Sequence, residues 1–219
     1  PKVPYREAIR KKVKVQGKHK KQSGGHGQYG DVWIEFEPNP DSEELVFQEK
    51  VFGGAVPKNF FPAVEKGLQD AVKKGVLAGY PVVNLKATLV DGSYHDVDSS
   101  EMAFKIAASL AFKAGMEQGS PILLEPYSTV GVHIPEDKQG DIMGDMSKRR
   151  GRIMGYGTDE DGATVVSCEV PTAEMATYAT DLKSMTQGRG WYTIEHVRYE
   201  PAPPEVTEKV IAEAKEEEV

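Results

Sequence analysis

Two hydrophobic periods alternate along the chain, one of two residues and one near 3.6, and their order spells a mixed α+β architecture. In 31–36, Val32, Ile34 and Phe36 point one way and Trp33 and Glu35 the other, so this stretch reads as a half-exposed strand. The stretch 82–90 alternates more cleanly, with Val83, Leu85, Ala87 and Leu89 against Asn84, Lys86 and Thr88. Between them, 45–51 reads as a strand antiparallel to the first. Residues 62–74 follow as a helix, with Val64, Leu68, Ala71 and Val72 at helical spacing and Gly75 as its stop. Pro38 to Ser42, Gly53 with Gly54, and Asp91 with Gly92 are turns. Asp98 with Glu101 three residues on predicts a capping box and a helix to about residue 116. The apolar face of that helix should combine Met102, Ile106 and Leu110 with Ala103, Ala107, Ala111 and Ala114. Near the start, 5–15 alternates weakly and reads as a basic edge strand.

Gly119, Ser120 and Pro121 mark a boundary, which divides the chain into domains 1–121 and 122–200. Beyond it, 125–134 reads as a strand. Pro135 opens a helix that turns Ile142 and Met146 inward and ends at Lys148, Arg149, Arg150 and Gly151. Strands 152–156 and 163–170 flank a turn at 158–162, and a helix at 173–186 puts Met175, Tyr178, Leu182 and Met185 on one face before Gly188. A last strand spans 191–199. The order β-α-β-β-α-β is the ferredoxin-like, split βαβ plan. Pro201, Pro203 and Pro204 then form a stiff linker into an acidic helix at 205–217.

Composition adds bounds. The 219 residues suffice for two ordinary domains with real cores, and 39% hydrophobic with 28% charged residues is the balance of a soluble globular protein. No apolar run approaches the roughly 20 residues of a membrane span, and neither a leader nor a membrane partner is expected. A start at proline, with no methionine before Met102, leads us to expect a piece of a longer chain. The single cysteine, Cys168, excludes an internal disulfide framework and suits a reducing cytoplasm.

The net charge of −7 speaks at first against a polyanionic partner, but its distribution points the other way. Residues 1–30 hold nine Lys/Arg against Glu7 alone, whereas 31–60 hold seven Asp/Glu against two lysines. The basic stretch runs into four glycines at positions 24, 25, 27 and 30. Lys14, Lys18, Lys20 and Lys21 supply sequence-independent attraction to phosphate, and glycine permits positive φ and close backbone approach. We expect a loop pressed against nucleic acid; the competing reading is a solvated basic face.

Enzymatic readings fare poorly. A nucleotide cradle needs glycines that lead into a helix N-terminus, whereas these precede a strand, and no Gly-x-x-x-x-Gly-Lys-Ser/Thr motif occurs. None of His19, His26, His95, His133 and His196 stands at zinc-ligand spacing, so no metal, cofactor or catalytic residue is expected. Ser93, His95, Asp96, Asp98 and Ser99 lack a nucleophile elbow, and Asp98 reads as a helix cap. His95 sits in a polar loop, where a core role is poorly supported. His133 and Cys168 read as structural. Lys148, Arg149 and Arg150 at a helix C-terminus suit the dipole and RNA contact equally well.

Several blocks resemble elongation factor G. Tyr5 to Arg10, Gly17 to Gly25, Gly27 to Gly30, Leu77 to Val83 and Gly92 to Glu101 resemble its domain IV. Leu124 to Pro126, Gly144 and Asp145 with Arg149 to Gly151, and Tyr178 to Thr180 with Leu182 and Ser184 to Thr186 resemble domain V. The resemblance covers essentially the whole chain. It implies a domain like the second domain of ribosomal protein S5, completed by a returning C-terminal helix at 203–217, followed by a ferredoxin-like domain. It also implies that domain IV is the arm entering the decoding-side A site behind the moving tRNA–mRNA pair. Two loops would form its tip, Ser23, Gly24, Gly25, His26, Gly27, Gln28 and Tyr29 in one and Ser93, Tyr94, His95, Asp96 and Asp98 in the other. His95 matches the family's tip histidine, and Lys148, Arg149 and Arg150 would face large-subunit rRNA. GTP and Mg would belong to an N-terminal domain, and the fragment, not itself an enzyme, would be a cytoplasmic monomer on the ribosome. His26 departs from the arginine usual between these glycines and exchanges a permanent cation for a mostly neutral ring. Within the same superfamily a recycling or ribosomal-protection factor is the alternative, and an ATP-dependent small-molecule kinase on an S5-like fold is the more distant one.

Overall fold

The computed structural model describes residues 2–218, apart from the side chain of Ser23. The chain forms two compact units, one from Arg6–Leu123 with the segment after Ala202, the other from Leu124–Pro201 with the residues before Arg6.

In the first unit, β1 (Arg6–Ile9) is followed by β2 (Val13–Ser23), β3 (His26–Pro38), β4 (Val46–Glu49), α1 (Phe61–Ala71), β5 (Leu85–Ser93) and α2 (Glu101–Gln118). The sheet order is β2-β3-β5-β4. β4 pairs with β5 in parallel, from Val46↔Lys86 to Glu49↔Leu89, and not antiparallel to β3 as expected. Thirteen residues of extended β3 already fill both of its edges with β2 and β5, so β4 must cross over through α1 to reach the free edge of β5. One face of the sheet buries Val15, Val32, Ile34, Phe36, Leu85, Ala87 and Leu89 against Val64 and Leu68 of α1 and Phe104, Ala108 and Phe112 of α2.

Sequence periodicity placed Ala103, Ala107 and Ala111 on the buried face of α2, as they are, but wrongly added Met102 and Leu110 to it. Ala103, Phe104, Ala107, Ala108, Ala111, Phe112 and Met116 are among its buried residues, while Met102 is 61% and Leu110 43% exposed. The reason is steric. A Cβ at Gly17 would collide with the Ala107 carbonyl and Ala111, and one at Gly30 with the Ala103 carbonyl. Helix and hairpin approach so closely that only small side chains fit between them. The N-cap is Ser100, whose Oγ accepts from the Ala103 amide at 3.1 Å, and not Asp98.

The expected strand 5–15 is broken at residues 10–12, because β1 is tied elsewhere. Glu7 is buried, and its carboxylate accepts the amides of Leu77, Ala78 and Tyr80 at 2.9–3.0 Å. The last helix, α5 (Pro204–Glu217), belongs to this unit and buries Val210.

The second unit carries β6 (Pro121–Ile134, shared at its start with the first), α3 (Gln139–Lys148), β7 (Arg152–Thr158), β8 (Thr164–Pro171), α4 (Tyr178–Met185) and β9 (Trp191–Pro201). Its strands lie in the order β9-β6-β8-β7 with every neighbouring pair antiparallel, which is the ferredoxin-like arrangement. Val130, Val132, Ile134, Val166, Cys168 and Val170 pack beneath Ile142, Met146, Tyr178 and Leu182. Pro135 opens a 3-10 turn before α3. The single helix expected at 173–186 is a 3-10 turn, Thr172–Met175, and then α4. Among the described residues no helix is long and apolar enough to cross a membrane.

Gly17→Ala should therefore lower the stability of the first unit by about 1–3 kcal/mol, the range for overpacking. Urea unfolding followed by Trp33 fluorescence measures it, and an unchanged midpoint would disprove the close helix–hairpin approach.

Candidate nucleic-acid interface

The basic, glycine-rich stretch is a hairpin rather than a loose loop. β2 and β3 pair without interruption from Val13↔Phe36 to Ser23↔His26, joined by Gly24 and Gly25 alone. Their φ angles are +55° and +88°, so both central residues take the positive φ that a type I′ turn requires. Directly opposed residues share a face of the ladder. Lys14, Gln16, Lys18, Lys20 and Gln22 thus line the open face with Glu35, Trp33, Asp31, Tyr29 and Gly27, whereas Lys21 falls on the helix side opposite Gln28. Lys18 and Lys20 form one surface, and Lys21 another. The Lys18 ammonium lies 5.6 Å from the centre of the Tyr29 ring, and that of Lys14 lies 5.9 Å from the Trp33 ring. On the helix side, His19 Nε2 and Gln28 Oε1 are 2.7 Å apart. His26 is exposed at the turn; the side chain of Ser23 lies outside the described residues.

The second loop is bound to the first. Tyr29 donates its amide to the Asp98 carbonyl at 2.9 Å, and Ser99 Oγ donates to the Tyr29 carbonyl at 2.9 Å while accepting the His95 amide at 2.9 Å. Below this, Tyr29 Oη and Ser93 Oγ are 2.6 Å apart, and Ser93 donates to Asp31 Oδ2 at 2.6 Å. Gln16 Nε2 donates to the other oxygen, Oδ1, at 2.8 Å. His95 Nδ1 accepts the amides of Val97 at 3.3 Å and Asp98 at 3.2 Å, so the neutral ring carries its proton on Nε2. That ring is half exposed, and Tyr94, Asp96 and Val97 around it are exposed. Asp98 sits against Gly27, where a Cβ would strike its carboxylate. Gln22, Gly24, Gly25, His26, Gly27 and Asp98 enclose an open cleft of about 440 Å³. The tip therefore offers cations, an N–H donor and a carboxylate acceptor within one surface.

Sequence reasoning named His95 and both loops; the structure joins those loops to each other through Ser99 and to Asp31 and Gln16, which the sequence did not single out as their links. Alternation in β3 puts Asp31 on the outward face with Trp33 and Glu35, so the sequence carried no signal that it is buried, at 6% exposed. The glycine turn leads into β3 and not into a helix, so it lacks the N-terminal amides of a nucleotide cradle. Among the described residues no group of three potential ligands could hold a metal ion. Burial pushes the Cys168 thiol up to about 11, which keeps it protonated and inert.

The basic cluster of the second unit is engaged by its own carboxylates. Arg149 donates to Asp145 at 2.8 Å, Asp181 at 2.7 Å and the Glu174 carbonyl at 2.7 Å, with its guanidinium 4.8 Å from the Tyr178 ring centre. Arg150 makes a two-pronged pair with Glu125 at 2.8 and 3.1 Å, and Glu125 is 1% exposed. The hydrogen bonds to Glu125 raise the Arg150 pKa against the opposing effect of burial. The Arg150 backbone has φ +61°, and the Gly151 amide reaches back to the Met146 carbonyl at 2.9 Å. α3 thus ends in a Schellman turn with arginine where glycine is usual. Lys148 alone of the three is exposed.

Sequence models describe both units. The model of elongation factor G domain IV matches residues 1–120, and that of the elongation factor G C-terminus matches 122–210. The chain belongs to the elongation factor G family. A crystal structure of a protein from Thermus thermophilus is 47% identical over 99% of this chain, with a TM-score of 0.86. This chain spans only 32% of that protein's length. In elongation factor G terms, both tip loops lie within the domain IV match and the Arg149–Arg150 cluster within the C-terminal match.

Two outcomes test the second unit. Arg150→Gly relieves an unfavourable φ, worth about 1–2 kcal/mol, but strands a buried carboxylate, which costs about 3–5 kcal/mol. Net destabilisation is expected in urea, and Glu125→Leu added to it should recover stability. The carboxyls of Asp181, Glu169 and Asp159 are held below the ordinary range by hydrogen bonds from Arg149, Arg198 and His133 respectively. The unfolded chain then binds more protons than the folded one at low pH. Their contribution is fully present once pH exceeds the ordinary carboxyl values of about 4 and drains as pH falls through the depressed values. Acid unfolding followed by Trp191 fluorescence in a Trp33→Phe background should show it, and Arg198→Leu should make the fall shallower.

Proposed function

We propose that this chain is the arm-bearing part of a cytoplasmic translation factor that drives GTP-dependent tRNA–mRNA translocation on the ribosome. The tip of the first unit enters the decoding-side A site behind the tRNA–mRNA pair. The observation that carries this reading is the union of both tip loops in one hydrogen-bonded surface, with Lys18 and Lys20 on one face and the half-exposed His95 ring 6.4 Å from the Tyr29 ring. Lysines supply attraction to any phosphate backbone, while a fixed donor and acceptor suit sugar and base edges. GTP and Mg belong, on this reading, to another domain of a longer protein. In the second unit, contact with large-subunit rRNA falls mainly to Lys148, because Arg149 and Arg150 already hold Asp145, Asp181 and Glu125.

In the full-length factor, His95→Ala should slow translocation more than it slows ribosome-stimulated GTP hydrolysis. Pre-steady-state measurement of both steps decides it, and unchanged translocation kinetics would sink the reading. Replacing Lys18 and Lys20 together should weaken ribosome binding and flatten its dependence on log salt by about one unit per lost phosphate contact. Lys21, on the opposite face, should behave separately. A rate defect in subunit splitting, with translocation intact, would point instead to a recycling factor.

A further inference from the structure

We infer that the carboxylate of Asp31 is the positioning residue of the tip: it holds the 93–99 loop in register with the hairpin and thereby fixes where His95 presents its Nε2–H. The inference concerns the same surface as the proposed function and rests on that reading only for its consequence on the ribosome.

Asp31 lies on the sheet face turned away from α1 and α2, yet it is 6% exposed. Burying a carboxylate there has a solvation cost, and an apolar residue of similar size would avoid it. What the carboxylate adds is geometry. Its two oxygens accept from different strands, Oδ1 from Gln16 of β2 at 2.8 Å and Oδ2 from Ser93 at the end of β5 at 2.6 Å. A carboxylate is acceptor-only, so Ser93 must spend its proton on Asp31 and receive one from Tyr29 Oη at 2.6 Å. That sets the direction of every bond in this chain of hydroxyls below the tip. Tyr29 then holds the far side of the loop through its own backbone, to Asp98 and Ser99, and Ser99 fixes the His95 amide.

The strand pairing shows why such a pin is needed. β3 and β5 shift register between Trp33 and Ile34, so that Trp33 opposes Asp91 and Ile34 opposes Leu89. Beyond that irregularity only Asp31↔Ser93, Val32↔Gly92 and Trp33↔Asp91 continue the ladder before β5 ends. Gly92 is pressed onto the Asp31 carbonyl and Val56, which leaves no side chain there to lock the strand. The Asp31–Ser93 bond ties the two strands at the point where the loop departs.

The test uses backbone ¹⁵N relaxation on the 219-residue chain. In the wild type, amides at 94–98 should show order parameters of about 0.85, like the rest of the sheet. In Asp31→Ala they should fall below about 0.6 at 94–98, while Val15, Ile34 and Leu89 keep theirs. Ser93→Ala breaks the same tie without removing the buried acid, and serves if Asp31→Ala does not fold. The double variant should be no worse than either single one, as expected of two members of one link. Unchanged order at the tip, or a loss spread over all of β2, β3 and β5, overturns the inference. Relaxation involves no ribosome, so its outcome stands even if His95→Ala proves harmless to translocation. If both hold, Asp31→Ala in the full-length factor should slow translocation by the same factor as His95→Ala.

Discussion

The approach of α2 to the β2–β3 hairpin is the constraint on which the first unit depends. Ala103, Ala107 and Ala111 lie directly on Gly17 and Gly30, and no larger residue fits at either glycine. The helix packs on the lower part of the hairpin, where β5 also pairs with β3, and only beyond Asp31 do β2 and β3 continue as a two-stranded ribbon, marginal on its own. The ribbon in turn continues from Lys18, level with the first turns of the helix, through Lys20 to the Gly24-Gly25 turn. Packing at the base and hydrogen bonding at the tip are successive parts of one hairpin.

The two units use their cations differently. On the β2–β3 hairpin, Lys14 and Lys18 rest against aromatic rings and Lys18, Lys20 and Lys21 are exposed. In the second unit, Arg149, Arg150 and Arg198 are drawn into pairs with Asp145, Asp181, Glu125 and Glu169. The division follows the chemistry of the side chains. A planar guanidinium matches a carboxylate with two parallel bonds and suits a structural joint, whereas a hydrated ammonium on a flexible stem suits a polyanion approached in many orientations. The net charge of −7 conceals this division, because the acidic residues of the second unit and of α5 outnumber the hairpin's lysines.

Much of the architecture was legible in the residue pattern. The β-α-β-β-α-β order of the second unit followed from alternation and turn chemistry, most plainly in β8, where Val166, Cys168 and Val170 face the core, alternating with half-exposed neighbours. Helix positions followed as well, to within a few residues. Patterns failed where contact between distant segments decides. β4 could not be placed in parallel beside β5 from its own residues. Met102 and Leu110 looked buried because hydrophobicity was ranked above size, whereas at α2 the available space selected alanine and glycine. The pairing of Arg149 and Arg150 with Asp145, Asp181 and Glu125 could not be read from the run of three cations itself.

At the tip the division is sharpest. Local chemistry marked the glycines, the lysines and the histidine, but as a loop and not as the tip of a hairpin: paired glycines accept positive φ, lysines attract phosphate, and a polar loop has no core to bury His95. Which lysines share a face, which nitrogen of His95 carries the proton, and how Asp31 joins three strands were decided only by the fold. These depend on register and on bonds between residues up to 70 apart in sequence, such as Ser99 to Tyr29. Periodicity along one segment carries no information about the neighbour that will lie across from it.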